Sequence, residues 1–266
     1  MLESIVLGAV QGVAEWLPVS SEAMIILVKN NFFASGMSFS ELVSFAIFLH
    51  LGTVASVVVY YRKKLWKLCK DFCLYSKQSH EKKQYLNFIM ITTAVSGVVG
   101  LGLIHAVESF EYLFHNEFII NNVVAGFLLI TAGLLFFSEQ QKKNQHVPLS
   151  RWRAVITGLF QGLAAIPGIS RSGSTVAGMG LLGIDKMRAL ELSFMLSVPL
   201  VLMANVILNA SEFLFFDIYK MVALSSAFIF GLLTIDILLR LVRQVRFSFV
   251  VMFFAVLLII VNFIVG

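Results

Sequence analysis

The sequence predicts an all-α integral membrane protein: an inverted-repeat bundle of six transmembrane helices plus two re-entrant helix-loop-helix hairpins. Three observations predict it. Of the 266 residues, 59% are hydrophobic and only 13% charged, with a mean hydropathy of +0.89, whereas a soluble domain carries about 25% charge. Six stretches meet the roughly 20 apolar residues that a bilayer crossing needs. Finally, a polar stretch broken by Pro and Gly occurs twice, as Gln11-Gly12-Val13-Ala14-Glu15-Trp16-Leu17-Pro18-Val19-Ser20-Ser21 and as Gln161-Gly162-Leu163-Ala164-Ala165-Ile166-Pro167-Gly168-Ile169-Ser170-Arg171-Ser172-Gly173. Glu41 follows Ser20, and Glu191 follows Ser170, at the same distance of 21 residues.

In chain order, residues 2–29 hold the first broken stretch. They are long enough for two half-helices but too interrupted for one span, and irregular backbone survives in hydrocarbon only when buried in protein or lining a watery cavity. A re-entrant hairpin is the consequence. Spans are expected at about 41–61, 86–105 and 118–138, a second hairpin at 152–183, and further spans at 188–208, 219–240 and 247–265. With no Pro/Ser/Gly linker between the halves, residues 1–266 read as a single membrane domain, with 1–117 and 118–266 as its two repeats. The N-terminus lacks the basic start of a signal peptide, and Glu3 stands there instead, so no cleavage is expected.

Charge orients the bundle. Arg62, Lys63, Lys64, Lys67, Lys70, Lys77, Lys82 and Lys83 follow the first span, and Lys142, Lys143, Arg151 and Arg153 the third. Lys186 and Arg188 follow the second hairpin, and Arg240, Arg243 and Arg246 the fifth span. These 17 of the 20 Lys and Arg fall on one side, while the opposite loops hold Glu108, Glu111, Glu117, Glu212 and Asp217 with only Lys29 and Lys220 as cations. The positive-inside rule makes the crowded side cytoplasmic, in the cell membrane of a multi-pass protein, and puts the N-terminus outside. One hairpin followed by three spans, twice over, inverts the second set relative to the first, so the hairpins enter from opposite faces and their tips meet near the midplane, where many transporters bind substrate. The net charge of +5 is then topogenic, with some affinity for anionic lipid heads, and nucleic acid is unnecessary. A homodimer is compatible with this plan. Cys69 and Cys73, in the basic loop, read as reduced surface thiols.

Between them the loops hold a carboxylate, a guanidinium and hydroxyls, which suits a phosphorylated ligand. Arg171 is the one cation inside the membrane, where a charge marks function by default. Its fork suits phosphate oxygens, and the bland reading is an ion pair with Glu15 or Glu191. Ser170, Ser172, Gly173, Ser174 and Thr175 surround it in a loop that opens into a helix and offers backbone N–H groups to an anion. Glu15 can hold Mg²⁺ or Ca²⁺, act as a base toward water, or serve only as a salt bridge. Gln11, one turn earlier, can orient it. Ser20 and Ser21 are nucleophile or phosphate ligand on one reading and helix caps on the other. Glu22 reads as a helix-start carboxylate favoured by the dipole. His50 either shuttles a proton or packs between helices. Glu41 and Glu191 suggest symmetric structural pairing.

These motifs resemble the undecaprenyl-diphosphate phosphatase family, the BacA/UppP type tied to bacitracin resistance. Gln11 and Glu15 match its first motif, a Glu or Gln followed four positions later by Glu. Pro18-Val19-Ser20-Ser21 matches its Pro-Val-Ser-Ser stretch, and Pro167 through Thr175 matches Pro-Gly-x-Ser-Arg-Ser-Gly-x-Thr without a gap. The resemblance covers essentially the whole chain. It implies an inverted-repeat bundle with a pocket open to the external face. It also implies removal of the terminal phosphate from a polyprenyl diphosphate to recycle a lipid carrier for cell-wall or glycan assembly, and dependence on a divalent cation. Glu15 would be the essential carboxylate, Ser21 the nucleophile or phosphate ligand, and Arg171 the diphosphate clamp. Two departures stand out. The family usually has Thr-Gly-His after the paired serines, where this chain reads Glu22-Ala23-Met24, and its Tyr-Arg pair near the last span is replaced by about Met252-Phe253. Methionine moves no proton, so either a metal-bound water attacks, or His50 substitutes, or the chain binds without hydrolysing. The alternatives to a phosphatase are a polyprenyl-phosphate transporter or flippase and a non-catalytic lipid-binding homologue.

Overall fold

Apolar runs of this length satisfy their backbone polar groups inside hydrocarbon by forming helices, and helices are what the chain forms. The computed structural model describes all residues except 34–36, 109–116, 143, 145, 211–216 and 266. Lys143, Glu111 and Glu212 of the charge pattern therefore lie outside the described residues, and Glu108, Glu117 and Arg243 are described by backbone alone. Among the described residues there are eleven α-helices and no β-strand beyond one isolated bridge between Asn144 and Ile184. They are α1 (Leu2–Ala14), α2 (Ser21–Phe32), α3 (Phe39–Tyr60), α4 (Arg62–Cys73), α5 (His80–Glu108), α6 (Glu117–Glu139), α7 (Arg151–Gly162), α8 (Arg171–Leu181), α9 (Lys186–Leu208), α10 (Ile218–Gln244) and α11 (Phe247–Val265).

Five stretches are long and apolar enough to cross a membrane: Ser40–Tyr60, His80–Val107, Phe118–Glu139, Lys186–Leu208 and Ile218–Leu241. They coincide with the first five expected spans. The sixth, expected at 247–265, is helical throughout, but its apolar described run, Phe247–Phe263, is shorter than the other five. The protein is a multi-pass membrane protein. Large apolar side chains face outward along these helices, among them Val98, Leu233, Ile237, Phe253 and Phe263. On a soluble protein such a surface would mark an aggregation liability; here it is the face that lipid covers. Between helices, polar side chains bond across the interfaces: Ser56 Oγ donates to the Phe228 carbonyl (2.8 Å), Asn205 Nδ2 to that of Ile47 (3.0 Å), and Asn121 Nδ2 to Asn262 Oδ1 (3.1 Å).

The two broken stretches do not span. Helices α1 and α2 contain 13 and 12 residues, α7 and α8 contain 12 and 11. At a rise of about 1.5 Å per residue each reaches only about 17–20 Å, against roughly 30 Å of hydrocarbon. Each short arm is seated against one long helix, α1 along α10 and α7 along α5. Small residues permit the close approach: a Cβ on Gly12 would meet the Gly231 nitrogen at 2.7 Å, and one on Gly162 would meet Val99 Cβ at 2.7 Å. Helix α3 packs between α9 and α10, α6 lies against α11, and α8 rests on α6. Trp16, just past α1, is fully buried. It donates its indole N–H to the Gly231 carbonyl (3.1 Å) and meets Phe194 edge-on at 5.3 Å between centroids. This anchor fixes the first loop over α9 and α10.

Helix α4 is exposed, with basic residues and Trp66 on its surface, and Cys69 and Cys73 are free and exposed. Glu41 and Glu191 do not form the symmetric pair expected of them. Glu41 completes a capping box with Ser38 at the start of α3, whereas Glu191 pairs with Lys64 of α4 at 2.7 Å. The two positions are equivalent in sequence, but only α3 has a helix start there; α9 begins five residues before Glu191.

Candidate active site

The polar loops at the ends of the short arms touch. Ser20 and Ser170 are the N-caps of α2 and α8, accepting from the Ala23 (3.3 Å) and Gly173 (3.1 Å) amides. Each cap oxygen accepts from its own helix, and the loops bind each other through hydroxyl protons. Ser170 Oγ donates to the Val19 carbonyl (3.1 Å), and Ser172 Oγ to that of Leu17 (2.9 Å). Gly173 lies so close to the Pro18 carbonyl oxygen that a Cβ would stand 2.8 Å from it.

At this junction sits Glu15, 6% exposed, with four donors around its two oxygens. Oε1 takes the Arg171 guanidinium across the two hairpins. Oε2 accepts from Gln11 Nε2 (3.0 Å) and Ser21 Oγ (3.1 Å) and lies 3.2 Å from His50 Nε2. Arg171 Nη1 donates to the Ser193 carbonyl at 3.4 Å, a long bond. His50 comes from the middle of α3. Its Nδ1 stands 2.7 Å from the Ala46 carbonyl, which can only accept, so Nδ1 carries a proton. Nε2 is left facing Ser21 Oγ at 3.3 Å. In the charged ring Nε2 donates to Glu15; in the neutral ring it can accept the Ser21 proton once that hydroxyl turns from Glu15 Oε2 to Nε2. A hydroxyl, a base beside it and a carbonyl that orients the base form the arrangement of an activated nucleophile.

Two cavities meet here. A polar one of about 270 Å³ is lined by Glu15, Ser20, Ser21, Glu22, His50, Ser170, Arg171 and Ser172, among others. A larger, mostly apolar one of about 730 Å³ shares Glu22, His50 and Arg171 with it and runs between α3, α5, α7 and α9. Its walls include Ile104, Ile207 and Leu208, which lie at the ends of α5 and α9 remote from the basic loops. Small residues, Gly97, Gly100, Ala164 and Ala165, widen it.

Eight expected residues therefore share one polar junction: Gln11, Glu15, Ser20, Ser21, His50, Ser170, Arg171 and Ser172. Gly173 packs against it. Ser174 and Thr175 do not face it; both hydroxyls turn back to the Arg171 carbonyl, at 3.3 and 2.6 Å, and both residues are buried in α8. Glu22 does more than start a helix. It stands in the first turn of α2, lines both cavities and makes no hydrogen bond to another described residue. Met24, the position where the resemblance looks for a histidine, lines neither cavity and packs against the apolar core. Gln161 is the residue missed. It is 1% exposed, lines the apolar cavity, and neither its nitrogen nor its oxygen has a partner, although an unmatched buried polar group costs on the order of 1–3 kcal/mol. The signal was its equivalence to Gln11 in the duplicated motif.

As for a divalent cation, the described residues contain no group of three or more His, Cys, Asp and Glu that would cage one. Glu15 is a poor candidate, since both its oxygens are already taken. A hard cation that brings its own waters and phosphate oxygens needs only one or two carboxylates, and Glu22 has free oxygens. The donor set thus fits a cation delivered with a phosphorylated ligand.

The family model described as "Bacitracin resistance protein BacA" matches residues 4–263. The chain is 38% identical over 254 residues to an "Undecaprenyl-diphosphatase" of Methanococcoides burtonii, covering 93% of this chain and 92% of the relative. It is 34% identical over 250 residues to the protein of that name from Haloarcula marismortui (93% and 92%) and 34% over 269 residues to that from Syntrophotalea carbinolica (96% and 98%).

Proposed function

The chain belongs to the bacitracin resistance protein BacA family, whose relatives are undecaprenyl-diphosphatases, and on that premise we propose that it is itself a polyprenyl-diphosphate phosphatase of the cell membrane. One observation carries the reading. Ser21, His50, Glu15 and Arg171 converge on a small polar cavity that continues into a large apolar one. That shape fits a charged head on a hydrocarbon chain.

In this reading the prenyl chain lies in the apolar cavity, which points away from the basic loops and hence toward the external face. The Nη1 arm of Arg171 turns from the Ser193 carbonyl to the diphosphate while the other stays on Glu15. Ser21 Oγ attacks the terminal phosphorus as its proton passes to His50 Nε2. The bond from that phosphorus to the bridging oxygen breaks, and its electron pair leaves with the prenyl phosphate, which takes the proton from His50. Water then attacks the phosphoserine, losing a proton to His50; the bond from phosphorus to Ser21 Oγ breaks, Oγ takes that proton back from His50, and inorganic phosphate departs. Glu15 positions Ser21, His50 and Arg171 together. Glu22 would hold a divalent cation, Mg²⁺ or Ca²⁺, and such an ion supplies charge neutralisation to the phosphate oxygens. The paired contacts α1–α10 and α7–α5 support the inverted-repeat reading, with α5 and α10 as equivalent spans.

The test is phosphate release from a long-chain prenyl diphosphate by the purified protein in detergent, with Mg²⁺ or Ca²⁺ against EDTA. We expect metal-dependent release that falls by on the order of 10²-fold or more in Arg171→Ala and is lost in Glu15→Gln. Retained lipid binding with no release by the folded wild type would replace this reading with a polyprenyl-phosphate transporter or a non-catalytic lipid-binding protein.

A further inference from the structure

Gln161 is the polar group that the reaction described above leaves unused. It occupies in the second hairpin the place of Gln11 in the first, each followed by Gly. The Gln11 amide donates to Glu15, four residues on. The corresponding residue after Gln161 is Ala165, so the Gln161 amide faces no carboxylate. Both its polar atoms are buried without a partner, and the residue is part of the wall of the cavity assigned to the prenyl chain. A hydrocarbon chain offers an amide nothing, whereas the neighbouring lining includes Arg171, and the wall at this point is built of Gly162, Ala164 and Ala165, which leave room for more than a methylene chain.

We propose that Gln161 is a specificity-determining residue that holds the prenyl-linked phosphate, the one that remains on the product. The proposal rests on the phosphatase reading and deepens it. The terminal phosphate sits among Ser21, His50 and Glu22, and the second phosphate lies deeper, at the mouth of the apolar cavity. There Nε2 of Gln161 donates to a phosphate oxygen and Oε1 accepts from the hydroxyl of the protonated monoester. Arg171, which lines both cavities, lies between the two phosphates. Such a site grips a diphosphate at two points, and grips a monophosphate product at Gln161 more than inorganic phosphate, which belongs to the Ser21 end.

The experiment uses the full chain in detergent, as wild type, Gln161→Leu and Gln161→Glu. It measures kcat and KM for farnesyl diphosphate, and inhibition by farnesyl monophosphate and by inorganic phosphate. It also measures binding of farnesyl monophosphate by thermal shift, which needs no turnover. A hydrogen bond to a charged group lost in Gln161→Leu predicts about a tenfold rise in KM and an equal weakening of monophosphate inhibition and binding. Neither kcat nor inhibition by inorganic phosphate should move more than about threefold in Gln161→Leu, where no charge is added. The near-isosteric Gln161→Glu, which aims an anion at the phosphate, should be weaker still, and it carries the test if the Leu variant does not fold. Unchanged KM and monophosphate binding in either folded variant would overturn the proposal and make Gln161 a frustrated packing residue. Equal loss toward inorganic phosphate would also overturn it, by moving Gln161 to the terminal-phosphate position. A wild type that binds farnesyl monophosphate through Gln161 yet releases no phosphate would sink the phosphatase reading alone.

Discussion

The two helix-loop-helix hairpins are built alike and carry different groups. Each has a short arm seated by small residues against one long helix, a loop carrying a proline, and a serine cap that starts the return arm. They differ at the positions that face the cavity. After the cap the first has Ser21 and Glu22 where the second has Arg171 and Ser172, and four residues after the glutamine the first has Glu15 where the second has Ala165. The first hairpin thus brings a hydroxyl and carboxylates, and the second a cation and an amide with no partner. A duplicated frame holds position, while polar groups differ where the copies diverge, and among the described residues the charge pair of Glu15 with Arg171 joins them.

The comparison can be broken most severely at the residue that belongs to neither hairpin. His50 is held by α3 and reaches only the first loop, so His50→Ala should lower turnover by about 10²–10⁴-fold, the range for losing a general base, with little change in lipid binding. Wild-type turnover in that variant would remove His50 from the reaction and leave the first hairpin without a base. Met24→His should not rescue it, because Met24 packs into the core and lines neither cavity.

A smaller effect sharpens the asymmetry of the frame itself. A Cβ at Gly12 would collide with backbone atoms of α10, the Gly231 nitrogen at 2.7 Å and the Ala227 oxygen at 2.8 Å, whereas at Gly162 the nearest atoms belong to the Val99 side chain. At Gly12 two backbone atoms must move with their helix, whereas at Gly162 turning Val99 takes Cγ1 away and leaves only its Cβ in close contact. Gly12→Ala should cost about 1–3 kcal/mol and Gly162→Ala less, and thermal unfolding in detergent ranks the two; a reversed order would mean that α10 yields more readily than α5.

The caps give the smallest difference. Ser20→Ala and Ser170→Ala should each cost about 0.5–2 kcal/mol of stability. Ser170→Ala should be the worse of the two, since Ser170 also donates across the hairpins to the Val19 carbonyl. Equal losses would show that the cross-hairpin bond contributes nothing.

Much of this was legible in the residues. The duplicated motif located both hairpins to within three residues, because Pro and Gly inside an apolar run leave the backbone only that option. The lone intramembrane Arg171 demanded a partner, and Glu15 was one of the two acids named for it. Other features resisted. A hydroxyl in a loop can cap, bridge or face a ligand, and no pattern states which: Ser170 caps and bridges, and Ser174 and Thr175 turn back on their own helix. Glu15 was expected to hold a cation, an assignment that fits its two engaged oxygens less well than it fits the free ones of Glu22.

By itself, then, the sequence determined the all-helical membrane architecture, the hairpins and the residue types gathered in them. These follow from hydropathy, helix length and the cost of unpaired backbone in lipid, all of which act locally along the chain. It took the folded chain to show that His50 stands 3.3 Å from Ser21 across 29 residues, that Glu22 faces both cavities, and that both amide atoms of Gln161 are buried without a partner. Those outcomes depend on how helices distant in sequence pack and rotate against one another, and a difference of one helical position turns a side chain by about 100°, from the cavity into the core.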